Sequence, residues 1–172
     1  MAKKITALLC MIIMVLGLSA CGAKNSSPEN SSDSTSKAKV SCKEVLEGIL
    51  TEVTDTHNDT KLFYEDEKYE EYFEYLYDTS VKRVSDGAFA YASASYADEI
   101  TVLYAAEEDD VDTIEKHLED RIERRIQDFN GYKPEEVAKL ENARIETEGR
   151  YIIMVVADDP DKVIETFETL IK

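Results

Sequence analysis

Residues 40 to 53 place Val45, Leu46, Ile49, Leu50 and Val53 at spacings of one, three and four, the stripe of an amphipathic helix. Ser41, with Glu44 three residues on, supplies the N-cap and capping box that start it. The polar run DTHNDT at 55 to 60 reads as a loop. Residues 63 to 78 interleave aromatics with carboxylates, and Tyr69, Tyr72, Phe73 and Leu76 share one helical face while Glu70, Glu71 and Glu74 lie off it. From Gly87 the period falls to two. Phe89 and Tyr91 alternate with Ala88, Ala90, Ala92 and Ala94, which predicts a strand with one bulky and one small face. After the turn-like SYADE, the run ITVLYAA at 100 to 106 is apolar on both faces and so belongs at the centre of a sheet, paired to the preceding strand as a hairpin.

The second half repeats this order. Val111, Ile114, Leu118, Ile122, Ile126 and Phe129 line one side of a long helix, and Asn130-Gly131 predicts a left-handed glycine cap at its end. Pro134 opens a short helix carrying Val137, Ala138 and Leu140. NARIETE at 142 to 148 and YIIMVVA at 151 to 157 form a second hairpin, joined by Gly149-Arg150 with glycine where a type II′ turn needs it. Residues 158 to 172 close the chain as a helix with Val163, Phe167, Leu170 and Ile171 inward.

A shift of 49 residues lays Asp109-Asp110-x-Asp112 on Asp158-Asp159-x-Asp161 and keeps Ile114 over Val163, Leu118 over Phe167 and Ile122 over Ile171. The aspartates read as helix caps, Asp159 before Pro160 and Asp110 in the same place of the first copy, rather than as metal ligands. The fold expected is therefore α+β: two ββα units forming one mostly antiparallel four-stranded sheet, with the long and C-terminal helices on one face and residues 40 to 78 packed nearby.

The first forty residues follow another logic. Lys3 and Lys4 precede a 16-residue apolar stretch, Ile5 to Ala20, which is short of the roughly 20 residues a helix needs to cross a bilayer. It ends in Leu18-Ser19-Ala20-Cys21, which resembles the lipobox of bacterial lipoproteins. That resemblance implies cleavage before Cys21 and a diacylglyceryl group on its thiol, the two chains that stable anchoring needs. Residues 22 to 39 hold no aromatic or large aliphatic side chain and six serines in eighteen, a composition that cannot offset the entropy of ordering. The organisation expected is a signal peptide at 1–20, a lipidated cysteine and disordered tether at 21–39, and one domain at 40–172.

Charge narrows the partners. The whole chain carries −17, and its first 39 residues are net positive, so the domain is more acidic still. Nucleic acid and a direct seat on anionic lipid both require a basic face and are excluded as expectations. Of three cysteines, Cys10 leaves with the signal and Cys21 takes the lipid; Cys42 remains, within the apolar stripe of the first helix, as a small buried hydrophobe. Asp55, His57 and Asp59 alternate as calcium ligands do but lack the glycine and glutamate of a calcium loop, and no metal or cofactor is expected. His57 and His117 have no sequence neighbour that would make either a catalytic base, and no phosphate-binding loop, nucleophile elbow or zinc-protease motif occurs. One basic cluster interrupts the acidic background. Arg121, Arg124 and Arg125, followed by Tyr132, are the candidate contact residues for a ligand or partner, since guanidinium groups take planar anions in bidentate fashion.

The combination Ala97-Asp98-Glu99-Ile100, Tyr132-x-Pro134 and Gly149-x-Tyr151 resembles an uncharacterised family of exported Gram-positive lipoproteins, the domain of unknown function with family number 4358. The resemblance implies location and fold, and transfers no catalytic residue. The function expected is a non-enzymatic, membrane-anchored module on the extracytoplasmic face of the cell membrane, bound to the bilayer through Cys21 and contacting an envelope protein or small ligand. The alternatives are an envelope hydrolase using carboxylates such as Asp98 and Glu99, and a passive structural lipoprotein.

Overall fold

The computed structural model describes residues 39–93 and 95–172. The signal segment, Cys10, Cys21 and the tether up to residue 38 lie outside the described residues.

Helix α1 spans Cys42–Glu52 and begins on the expected capping box: Ser41 Oγ accepts from the Glu44 amide, and Glu44 Oε2 accepts from the Ser41 amide at 3.1 Å. Strand β1 follows at Thr60–Phe63. Nothing in the hydrophobic pattern announces it, because four residues are too few to show a period and its neighbours are polar. Phe63 therefore belongs to a strand rather than to the helix expected from residue 63, and α2 is confined to Tyr69–Tyr77. The first hairpin is β2, Val84–Tyr91, and β3, Glu99–Ala105. Helix α3 runs Val111–Asn130, and a 3₁₀ turn at Pro134–Glu136 leads into α4, Val137–Glu141. The second hairpin is β4, Arg144–Glu148, and β5, Tyr151–Val156, and helix α5, Pro160–Ile171, closes the chain. Gly149 has φ +58°, the backbone that the tight turn before β5 requires.

The strands form one antiparallel sheet in the order β1-β2-β3-β5-β4. The α+β class holds, but the sheet has five strands rather than the expected four, with β1 added at the β2 edge. The expected placement of both long helices on one face is wrong. Val163 and Phe167 of α5 pack with α1 against Ala88, Ala90, Val102, Ile153 and Val155. Ile114 and Leu118 of α3 pack with α2 against Phe89, Leu103, Ile152 and Met154 on the opposite face. Strands β3 and β5 are apolar on both sides, so both faces need a cover, and dividing the helices supplies one to each.

The 49-residue repeat survives only in part. Leu103 pairs with its own counterpart Ile152 across the sheet centre, and α3 and α5 start in register. The helices then leave to opposite faces, and the first hairpin uses a longer connection than the second. The ββα units are thus not equivalent. Asp159 caps α5 by accepting from the Lys162 amide, but Asp110 makes no cap bond; its carboxylate is drawn to Arg83 at 2.7 Å. Gly131 is right-handed, with φ −87°, rather than a left-handed cap, because the chain tightens directly into turns in which the Tyr132 and Lys133 amides both reach the Phe129 carbonyl.

Among the described residues no helix is long and apolar enough to cross a membrane.

Candidate functional site

Adjacent residues on a strand point in opposite directions, so the acid pair at the start of the central strand β3 sends one carboxylate to each side. Both are buried, Asp98 fully and Glu99 to 1% exposure. Each has met a cation from a different helix, as buried charges must. Glu99 takes a forked contact from Arg121 on α3, with Nη2 at 2.9 Å and Nε at 3.3 Å, and accepts from the Tyr77 hydroxyl at 3.0 Å. That hydroxyl also lies 2.7 Å from Thr101 Oγ1, which extends the network along β3. Burial alone would lower the Arg121 guanidinium, but the charge of Glu99 outweighs it and holds it above its ordinary range.

Asp98 is met by Lys139, whose side chain is 9% exposed, at 2.9 Å. The Pro134 turn and α4 put Lys139 there, and the same ammonium lies 3.2 Å from Asp158, just after β5, and 3.7 Å from Glu136. Burial would lower the Lys139 ammonium, and its contacts with Asp98 and Asp158 reverse this, so it stays charged. Glu136 in turn accepts from the Ala97 amide at 2.9 Å, which ties α4 to the loop that delivers Asp98.

Beside this cluster opens a cavity of 450 Å³ whose lining includes Glu135, Glu136, Lys139, Asp158, His57 and Tyr96. The His57 and Tyr96 rings stack at 3.7 Å and 16°. Lys133 holds Tyr96 in place, lying 4.3 Å from its ring centroid and donating to the Ser95 carbonyl. Across the loop, Asp59 accepts from the Ser93 amide, and that hydrogen bond lowers its carboxyl. A cleft of this size with an aromatic wall and converging charged groups suits a small ligand or a single side chain.

The cavity and the start of the domain lie at opposite ends of the sheet. Lys39 pairs with Asp86 at 3.2 Å and lies over the Tyr104 ring, while Tyr151 Oη donates to the Val40 carbonyl. Tyr104 and Tyr151 stand at one end of β3 and β5, and Glu99 and Val156 at the other. At roughly 3.4 Å per residue that is about 17 Å.

The three arginines singled out from the sequence are held by internal partners. Arg121 is bound to Glu99, Arg124 donates to the Leu76 carbonyl and Arg125 to the Tyr96 carbonyl. Tyr132 is 72% exposed and lines a shallow 240 Å³ groove with Arg125, Asp128 and Phe129. Cys42 is fully buried on α1, and burial together with nearby Asp86 pushes its thiol far up. No group of three or more His, Cys, Asp or Glu side chains among the described residues is arranged to hold a metal ion. Sequence reasoning passed over Lys139, Glu136 and the His57–Tyr96 stack. One signal for the first was present: two adjacent acids abutting an apolar central strand need cations if they are buried with it.

A family model described as Domain of unknown function (DUF4358) matches residues 59–157, the span from β1 to the end of β5 that contains Asp98, Glu99, Arg121 and Lys139. No curated protein and no solved structure matches the chain.

Proposed function

This chain belongs to the DUF4358 family, and from that premise we propose that it is an extracytoplasmic lipoprotein, anchored to the cell membrane through Cys21, whose domain is a non-enzymatic binding module. The observation that carries the binding role is the fate of the two acids. A carboxylate-based hydrolase needs Asp98 and Glu99 free to exchange protons with a substrate, and both are locked in ion pairs with Lys139 and Arg121. The cavity beside Lys139 is open, which supports a module that takes an envelope protein or small ligand there.

Two measurements test the reading. Labelling with a fatty-acid analogue should mark the wild-type chain and leave Cys21→Ala unmarked; equal labelling of both refutes the anchor. A photo-crosslinker in place of Asn142, at the cavity mouth, should capture a partner or ligand in intact cells that the same group at Glu70 does not. A catalytic turnover that survives purification and disappears in Asp98→Asn overturns the binding role.

A further inference from the structure

The cavity is acidic out of proportion to its size. Glu135, Glu136 and Asp158 line it and Asp98 lies buried behind Lys139, four carboxylates against Lys139 itself and Lys133, 3.7 Å from Glu136. Two carboxylate charges are therefore left over. Asp158, with its side chain 73% exposed, and Glu135, also exposed, carry them within reach of solvent.

Lys139 shows what these carboxylates accept. Its ammonium touches Asp98 Oδ2, Asp158 Oδ1 and Glu136 Oε2 at 2.9, 3.2 and 3.7 Å, as a ligand's ammonium would. The arrangement is also incomplete. Asp98 Oδ1 is buried and has no hydrogen-bond partner among the described residues, while Lys139 contacts Asp98 Oδ2 and Asp158. A second cation taking Asp158 would release a Lys139 N–H to turn to Asp98 Oδ1, so that ligand binding completes the buried pair instead of disrupting it. The His57–Tyr96 stack supplies the apolar wall against which the carbon chain of an organic cation lies.

We propose that this cavity binds the ammonium or guanidinium group of an organic cation, held by Asp158, Glu135 and Glu136, with Lys139 shifting toward Asp98 as it enters. The proposal rests on the binding-module reading and names the ligand class for it. The acidic domain as a whole draws cations toward it, which favours encounter but does not select this site.

Amide chemical shifts of the full chain provide the test, with spermidine as a free polyamine, capped Gly-Lys-Gly as a peptide-borne ammonium, capped Gly-Gln-Gly as a neutral control and calcium as an inorganic cation. Spermidine or the lysine peptide should move Ala97, Asp98, Lys139 and Asp158 saturably, and the tighter of the two identifies the source. Glu135→Gln/Asp158→Asn should weaken that binding at least tenfold. Glu70→Gln/Glu71→Gln, which removes as much charge from the exposed face of α2, should change it less than twofold. Equal weakening by both double variants means diffuse counterion attraction and overturns the proposal. Cavity shifts with the glutamine peptide or with calcium alone also overturn it, yet leave the binding module standing. Absence of cavity shifts with every probe overturns the proposal, while the crosslinking above decides the module.

Discussion

Replacing Arg121 by Met removes the cation that, among the described residues, pairs with Glu99, and leaves a carboxylate at 1% exposure with the Tyr77 hydroxyl as its remaining side-chain partner there. The methionine fills much of the space of the arginine stem, so the loss is electrostatic rather than a matter of packing. Breaking a buried pair by deleting one member costs about 3–5 kcal/mol, whereas an exposed pair is worth at most about 1 kcal/mol. Against a total stability of about 5–15 kcal/mol, the expected loss is a large share of what holds the domain folded. At about 3–4 °C per kcal/mol for a domain of this size, it should lower Tm by about 9–20 °C. Thermal melts and urea titrations of the full chain at pH 7 measure it. The double variant Glu99→Gln/Arg121→Met removes the stranded charge and should recover about 2 kcal/mol of the loss. A single-variant cost under about 1 kcal/mol, or a double variant no better than the single, refutes the claim that Glu99 and Arg121 form one buried unit. Below its lowered melting temperature, Arg121→Met should bind spermidine within twofold of wild type, because this pair lies on the α3 side of the sheet and the cavity is built around Lys139.

Two further effects follow from buried groups. Tyr69 Oη is enclosed without a hydrogen-bond partner among the described residues and presses on Gly87, whose missing Cβ makes room for it, so Tyr69→Phe should be neutral or stabilise by up to about 1–2 kcal/mol by urea titration; a clear loss would mean that the hydroxyl has a bond in solution. Burial holds the Cys42 thiol neutral in the fold, its folded value lying above an unfolded value of about 8.5. A group raised by folding contributes stability below the unfolded value and loses it as pH climbs toward the folded one. Stability should therefore fall between pH 8.5 and 10 in the wild type and stay flatter in Cys42→Ala, and parallel slopes would refute this.

Much of the architecture was legible because it rests on local rules. The stripes on α1, α3 and α5, the alternation along β2, the two-sided apolarity of β3, the Ser41–Glu44 box and the Gly149 turn are each dictated by residues within a few positions of one another, and each is present. Strand β1 was hidden because its place comes from its partner: Leu62 pairs with Phe89 and Phe63 with Ala88, and no period in four residues records that. The face each helix covers was hidden for a related reason. An apolar stripe states that a helix is covered, and only the competition of four helices for two sheet faces decides by what.

The candidate site divides along the same line. Sequence alone determined that the domain is strongly acidic, that an apolar central strand follows the turn-like segment holding Asp98 and Glu99, and that a cluster of arginines lies on the long helix, since composition and periodicity are properties of the chain. It could not show that Arg121 is consumed by Glu99, or that Asp98, Glu136, Lys139 and Asp158 meet beside a His57–Tyr96 wall. Those residues lie on the loop before β1, the loop before β3, the Pro134 turn, α4 and the segment just after β5, and charges so far apart in sequence become one site only when the sheet brings these segments to the same end.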